Sequence, residues 1–342
     1  MMELRTKLRT AAACAAVLLT FTPVRGSDSP DVLADFRQAA IQQGWLLIKL
    51  NNSRATVLLV GTGIEQKLQL RPEYSVYQFA SSASGQCLTF SVDQKINSWN
   101  DVLKETVFTI GPNGAISSTK GHFATVKGLA VSPDCQSLAV DGLYQEIDPL
   151  KQEISSGRAG LFLAHVGPGR DGARLIAETS QDYLGVSDAA FGASWSPNSS
   201  LIAFSEHGAI HTFNVVSGEV KFLVAGTNPA WSPDGKWLGY RGSDGAPMLI
   251  DLASRKTEPL IIKGGSCLWS LKWSPDSRFA IFTQYDDRAG TVFRVCRLRD
   301  RAVASIYHSG AQYTEARFAW VTRSTLATLL ASGEVVRRDG QL

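Results

Sequence analysis

The sequence predicts an all-β propeller of four-stranded antiparallel blades. Three observations carry that reading: a Trp-Ser-Pro-Asp turn that recurs, an apolar strand at a fixed offset after each copy, and no helical periodicity between copies. Four copies align: Val131-Ser132-Pro133-Asp134-Cys135, Trp195-Ser196-Pro197-Asn198-Ser199, Trp231-Ser232-Pro233-Asp234-Gly235 and Trp273-Ser274-Pro275-Asp276-Ser277, spaced by 64, 36 and 42 residues. The following strands are Leu138-Ala139-Val140, Ile202-Ala203-Phe204, Leu238-Gly239-Tyr240 and Ala280-Ile281-Phe282. Two degenerate copies flank these, Ser82-Ala83-Ser84-Gly85 before Cys87-Leu88-Thr89-Phe90, and Ala319-Trp320-Val321 before Leu326 to Leu330.

The motif has the chemistry of a turn. Proline at its second position presets φ, serine and aspartate bond local amides, and glycine suits the fourth position. The best copy continues through Met248 to Leu252, Ala253 to Lys256 and Leu260 to Ile262, which reads as four strands joined by turns. One such sheet cannot cover both its faces, so the units must stack around an axis. Trp195, Trp231 and Trp273 are expected to pack between neighbouring blades.

These Trp-Ser-Pro-Asp-Gly repeats with a following Leu-x-Phe/Tyr resemble those of the TolB-like propellers, over residues 75 to 330. The same propeller type occurs beside the hydrolase domain of prolyl oligopeptidases. The resemblance implies the fold, and a periplasmic setting by analogy, but no matching partner-binding motif is present. Residues 27–70 are also too few to supply the additional N-terminal domain of that family.

At the N-terminal end, Arg5, Lys7 and Arg9 precede an uncharged run from Ala11 to Val24, and Val24-Arg25-Gly26 offers small residues for cleavage. Residues 1–26 therefore read as a signal peptide, too short and too broken by Thr20, Thr22 and Pro23 for a membrane span. Arg5, Lys7, Arg9 and Arg25 against Glu3 account for the whole formal charge of +3, so residues 27–342 are balanced. A nucleic-acid binder would carry a basic patch, and none is expected here. The reading is a periplasmic or secreted protein.

Ser29-Pro30-Asp31 predicts a helix start with serine as cap, and Val32, Leu33, Phe36, Ala40 and Ile41 form an apolar stripe, giving a short helix within 27–44. Residues 45–342 would form the propeller. Trp45 to Leu50, Ala55 to Val60 and Gln66 to Leu70 look like outer strands lacking an inner one, whereas Ala316 to Val321, Thr325 to Ala331 and Glu334 to Arg338 make an incomplete blade. Pairing the two ends would close the ring and remove exposed edges. Six blades are favoured, with seven as the alternative. Cys87, Cys135, Cys267 and Cys296 follow the leader; disulfides and buried thiols are both open.

Binding is expected on loops. The second-to-third strand connections are short in the later blades, as in Glu206-His207-Gly208-Ala209, but long at Asp93 to Lys104 and at Asp141 to Arg158. These long segments carry Trp99, Asp101, Tyr144, Glu146 and Asp148, and across the channel stand Arg241, Tyr285, Asp287 and Arg288. Together they predict a groove for a protein or peptide of the cell envelope.

Catalytic readings fare less well. No serine lies in Gly-x-Ser-x-Gly. Gly167-Pro168-Gly169-Arg170-Asp171-Gly172 matches a dinucleotide pattern by letter but sits between strands, so it reads as a hairpin turn. His207 and His211 flank a turn without a zinc-type cluster, and Asp286-Asp287 reads as a solvated turn. No cofactor is expected. A lyase or lactonase with a site on the channel is the second reading, and it would need histidines or carboxylates on inner strands such as Ala190 to Trp195 and Leu268 to Trp273, which are nearly free of them.

Overall fold

The chain alternates short strands and polar turns through most of its length, and its sheets follow that pattern. The structure, a computed structural model, describes residues 29–51, 54–58, 65–67, 75–93, 105–147, 154–167, 172–178, 192–260, 271–286, 290–308 and 317–331. The leader, Trp99, Asp101, Asp148, Asp287, Arg288, Cys267 and the segment Glu334 to Arg338 lie outside the described residues.

Helix α1 (Pro30–Gln43) is followed by β1 (Trp45–Asn51), β2 (Arg54–Leu58) and β3 (Glu65–Lys67). Next come β4 (Ser75–Ser81), β5 (Leu88–Asp93), β6 (Glu105–Ile110), β7 (Ile116–Val131), β8 (Ser137–Ile147), β9 (Ile154–His165) and β10 (Arg174–Glu178). These seven form one antiparallel sheet in sequence order. Within it β7 serves two units: its first half pairs with β6, from Ile110↔Ile116 to Glu105↔Phe123, and its second half with β8, from Phe123↔Tyr144 to Val131↔Leu138.

Three four-stranded sheets follow. The first comprises β11 (Ser194–Trp195), β12 (Leu201–Glu206), β13 (Ala209–Asn214) and β14 (Val220–Ala225); the second β15 (Thr227–Trp231), β16 (Trp237–Arg241), β17 (Pro247–Asp251) and β18 (Thr257–Pro259). The third is β19 (Lys272–Trp273), β20 (Phe279–Asp286), β21 (Gly290–Arg297) and β22 (Ala302–His308). The last described elements are β23 (Arg317–Thr322) and helix α2 (Arg323–Ala331). β23 pairs with β1, Trp320 opposite Leu47, in a sheet ordered β23-β1-β2-β3, so the two ends of the chain share one sheet.

The recurring turns hold themselves by side-chain chemistry. In the best copy the Ser232 hydroxyl donates to Asp234 Oδ1 at 2.6 Å and accepts the Trp237 amide at 2.9 Å, while the Lys236 amide donates to Asp234 Oδ1 at 3.1 Å. Ser274 and Asp276 repeat the set, and Asn198 replaces the aspartate beside Ser196. The fourth turn residue takes a left-handed φ: 62° at Cys135, 58° at Ser199, 73° at Gly235 and 60° at Ser277. From that position Ser199 Oγ accepts the Asp134 amide at 3.3 Å and Ser277 Oγ accepts the Asp234 amide at 3.0 Å. Each such side chain therefore ties its turn to an earlier one. Cys135 does so covalently, through a disulfide to Cys87 across Cα atoms 6.0 Å apart. Cys296 is free and buried.

Between the sheets lie apolar clusters in which the motif tryptophans are central. Trp195 packs with Leu161, Ile202, Phe204 and Phe213, and its indole donates to the Ala130 carbonyl at 3.0 Å. Trp273 donates to the Ala230 carbonyl at 2.8 Å and packs with Leu249, Leu260 and Phe282. An indole on one inner strand thus both fills the space against the preceding unit and satisfies its backbone.

Helix α1 covers the outermost sheet face near β21 and β22. Val32, Phe36, Ala39 and Ala40 are buried against Phe279, Phe293, Val295 and Trp320, with the Phe36 ring edge-on to Phe279 at 5.3 Å. The predicted stripe is corrected at Ile41, which is 59% exposed; Ala39 takes the inward place. Ser29 holds the cap position but makes no side-chain cap, and its amide instead donates to the Val303 carbonyl.

The buried Arg297 guanidinium clamps the helix, contacting Asp31 at 2.6 Å, Asp35 at 2.5 Å and Asp300 at 2.6 Å. Its hydrogen bonds hold the Asp31 and Asp300 carboxyls below the usual carboxylate range. Groups with a lowered folded pKa stabilise above their unfolded value, and that contribution fades as pH falls through the folded one. Protection of amides 31–43 against hydrogen exchange, taken relative to the intrinsic rate at each pH, is therefore expected to hold at neutral pH and to fall below about pH 4, before that of the strands. Loss of protection with the strands in one step would contradict a separable clamp.

Three expectations are corrected. Thr325 to Ala331 is helical rather than extended: β1 already holds the place beside β23 that the next strand of a blade would take, and Thr322 Oγ1 caps the helix by accepting the Thr325 amide at 3.2 Å. The last strand of the best copy is Thr257–Pro259, three residues earlier than the Leu260 to Ile262 run. Asp141 to Arg158 is for the most part strand rather than loop, since β8 and β9 pair continuously to Ile147↔Ile154.

Candidate functional site

Topology sorts the candidate residues onto one end. The Ser-Pro-Asp turns join inner to second strands, so the second-to-third connections all leave from the opposite end. That end holds Tyr144 and Glu146 in β8, Arg241 closing β16, and Tyr285 near the end of β20, in register with Arg158, Ser156, Pro247 and Thr291. The structure thus gathers them at one end, Tyr144 and Glu146 on one strand and Arg241 and Tyr285 each on a different sheet.

β7 runs 16 residues because it serves two units, whereas β8 and β9 run 11 and 12, against five to eight in β12, β13, β16, β17, β20 and β21. β8 and β9 extend their sheet into a projecting arm. Two glycines permit it: a Cβ on Gly142 would stand 2.4 Å from the Thr125 carbonyl oxygen, and one on Gly160 2.3 Å from that of Ala177, at register shifts where neighbouring backbones crowd. Tyr144 stiffens the arm, its ring edge-on to Phe123 at 5.3 Å and tilted on Phe162 at 5.4 Å. Arg241 is half-buried, and its Nε has no hydrogen-bond partner among the described residues. A guanidinium held this way has donor capacity to offer an acceptor.

At the turn end, which sequence reasoning did not single out, a cavity of about 80 Å³ lies among the inner strands β4, β7, β11, β15, β19 and β23. Ala130, Ser194, Ala230 and Lys272 line it, each the residue just before a motif tryptophan or its equivalent Val131, together with Pro133 and Pro233 of the turns. A small residue recurring at three of these four positions was the available signal. The indole nitrogens of Trp231 and Trp320, which also line the cavity, have no hydrogen-bond partner among the described residues. The space suits a few waters or one small acceptor group.

Elsewhere, burial pushes the Cys296 thiol up to about 12, so it carries no thiolate at neutral pH. His207 sits in the β12–β13 turn at φ 50°, and the His211 ring packs between Phe204 and Phe222. Among the described residues no group of three or more His, Cys, Asp or Glu is placed to hold a metal, and no helix is long and apolar enough to cross a membrane.

No protein-family model matches the chain, and no curated protein matches its sequence. Solved structures do. TolB from Acinetobacter baumannii superimposes with a TM-score of 0.56 at 13% identity, over 82% of this chain and 67% of that one. A chain of a nidogen/laminin complex gives 0.53 at 9%, over 81% and 98%. A puromycin hydrolase mutant complexed with PGG gives 0.51 at 13%, over 79% of this chain and 44% of the enzyme. At such identities the likeness speaks to architecture alone, and it agrees with the four-stranded antiparallel sheets. The chain has a β-propeller fold of the TolB-like kind.

Proposed function

We propose that the mature chain is an exported, non-catalytic propeller that serves as a protein- or peptide-binding or scaffold module of the cell envelope, in the periplasm or secreted, and that its partner is held at the arm end. The observation that carries this reading is the arm itself, whose strands β8 and β9 run 11 and 12 residues against five to eight for the second and third strands of the later sheets. Extra strand length beyond the packed ring adds no shared core, so its use lies in contact with something else. Trp99, Asp101, Glu146 and Asp148 would furnish the contacts on one side, and Arg241, Tyr285, Asp287 and Arg288 those on the other.

Two further features support the reading. The lining of the turn-end cavity is chiefly alanine, serine, proline and tryptophan, and Lys272 is the one ionisable side chain in it, which offers little for paired acid–base chemistry. The Cys87–Cys135 disulfide suits an oxidising compartment. A six-bladed ring is likewise our reading, supported by the strands that line the cavity; averaged top views in electron micrographs would count the blades.

The test is affinity capture from envelope or secreted extract with residues 27–342, against a variant in which Trp99→Ala and Glu146→Ala are combined with a glycine-serine replacement of 148–153. Tyr144 is left in place because its ring packs within the arm. Recovery of a specific partner is expected to fall about tenfold or more, the loss of one hot-spot contact, at unchanged melting temperature. Equal recovery by both proteins would move the binding face elsewhere.

A further inference from the structure

Large apolar side chains are seldom left open on this molecule, and they are not scattered. Of Ile41, Val216, Val220 and Phe222, the exposed large hydrophobics among the described residues, three belong to the β13–β14 hairpin, at 90%, 47% and 65% exposure. β14 is the last strand of its sheet. Such an edge presents unpaired amides and carbonyls, and proteins ordinarily blunt it. Other outer strands here are blunted: β22 lies under α1, whose Ser29 amide bonds the Val303 carbonyl, and β18 is three residues long with Glu258 and Pro259.

The direction of the open backbone groups follows from the ladder. The Asn214 amide donates to the Glu219 carbonyl at 2.8 Å, which makes Asn214 and Glu219 a hydrogen-bonded pair. Alternation along the register then turns the amides and carbonyls of Val220 and Phe222 outward, since they lie opposite Phe213 and His211. The edge is ready to accept an antiparallel strand.

Charge selects the occupant. Glu219 and Lys221 flank Val220 and touch one another at 3.0 Å. If a second copy of β14 pairs antiparallel about a two-fold axis through Val220, Glu219 of each copy faces Lys221 of the other, and the four charges alternate on one face. Val220 then meets Val220, and Phe222 lies against the partner hairpin's turn, where Val216 is exposed. A slip that sets Val220 opposite Phe222 instead opposes Lys221 to Lys221, which is unfavourable. An axis through Phe222 faces Lys221 with Leu223 and forms no charge pair. We infer that β14 is a self-association edge, joining two copies of this chain through Val220 in an isologous two-fold sheet.

The intact chain without its leader is expected to sediment as a concentration-dependent dimer. Lys221→Glu, which sets glutamate opposite glutamate, weakens dimerisation about tenfold or more at low salt, and adding Glu219→Lys restores it. Val220→Cys gives a disulfide-linked dimer on mild oxidation, whereas the unmodified chain under the same oxidant does not. Melting temperatures of the charge variants match the parent, which separates a lost interface from a lost fold. Three outcomes would overturn the inference: a monomer at all accessible concentrations, cross-linking through Phe222→Cys but not through Val220→Cys, or a monomer in which Phe222→Lys abolishes capture of an envelope partner. The last would assign the edge to an extended segment of that partner.

Discussion

Trp273→Ala is expected to cost about 3–5 kcal/mol of stability, the usual range for deleting a buried large aromatic. Trp273 is 5% exposed and packs with Leu249, Leu260 and Phe282, so the cavity left behind has rigid walls on two sheets. The substitution also strands the Ala230 carbonyl, which accepts the indole at 2.8 Å. Trp273→Phe keeps most of the packing and loses the bond, at about 1–2 kcal/mol. Trp231→Phe supplies the contrast: its indole nitrogen has no partner among the described residues, so the same change removes no hydrogen bond seen there and is expected to cost less. Denaturant melts of the three variants give the order directly. Equal losses for Trp231→Phe and Trp273→Phe would show that the indole bond between units contributes nothing.

Removing the Cys87–Cys135 disulfide has the second-largest expected effect. It closes a loop with a sequence separation of 48, for which chain entropy alone corresponds to about 4 kcal/mol, and measured losses for native disulfides fall near 2–5 kcal/mol. It also replaces, between the first two Ser-Pro-Asp-type turns, the hydrogen bond that Ser199 and Ser277 make between later turns. Cys135→Ser is therefore gentler than Cys135→Ala, because a serine hydroxyl at that left-handed position has a role its sister residues already show. A melting curve that does not move on addition of a thiol reductant would rule out a stabilising bridge.

The turns were legible because their chemistry is local: Ser232 and Asp234 bind amides within five residues of themselves, so four letters specify the geometry. The pairing of β1 with β23 was legible for a different reason, as each end of the chain lacked what the other offered. The arm was not, because Asp141, Gly142 and Gly157 carry loop-like signals, and strands that leave the ring lose the buried face that makes alternation visible. Helix α2 was misread since Leu326 to Leu330 suits helix or strand, and only the occupancy of the neighbouring ladder decides. The disulfide partner could not be picked from sequence, because no local rule links residues 48 apart.

Of the candidate site, the sequence grouped side chains that do lie toward one end of their sheets, but it read Asp141 to Arg158 as a long loop where β8 and β9 form a paired hairpin. Tyr144 shows the difference: it packs edge-on to Phe123 and tilted on Phe162 within the arm, a positioning duty that its exposure in a loop would not allow. The small residues around the turn-end cavity went unnoticed because alanine and serine carry no chemistry as letters. Their period beside the tryptophans carries the information.

The account's central claim is that the arm end meets the partner. Site-specific photo-crosslinking tests it most directly, with a photoreactive residue placed at position 99 or 146 at that end, and at position 112 or 236 in turns away from it. Crosslinks to one protein species from 99 and 146, and none from 112 and 236, are the predicted result. Crosslinks confined to the turn positions would contradict the claim and point to the opposite face.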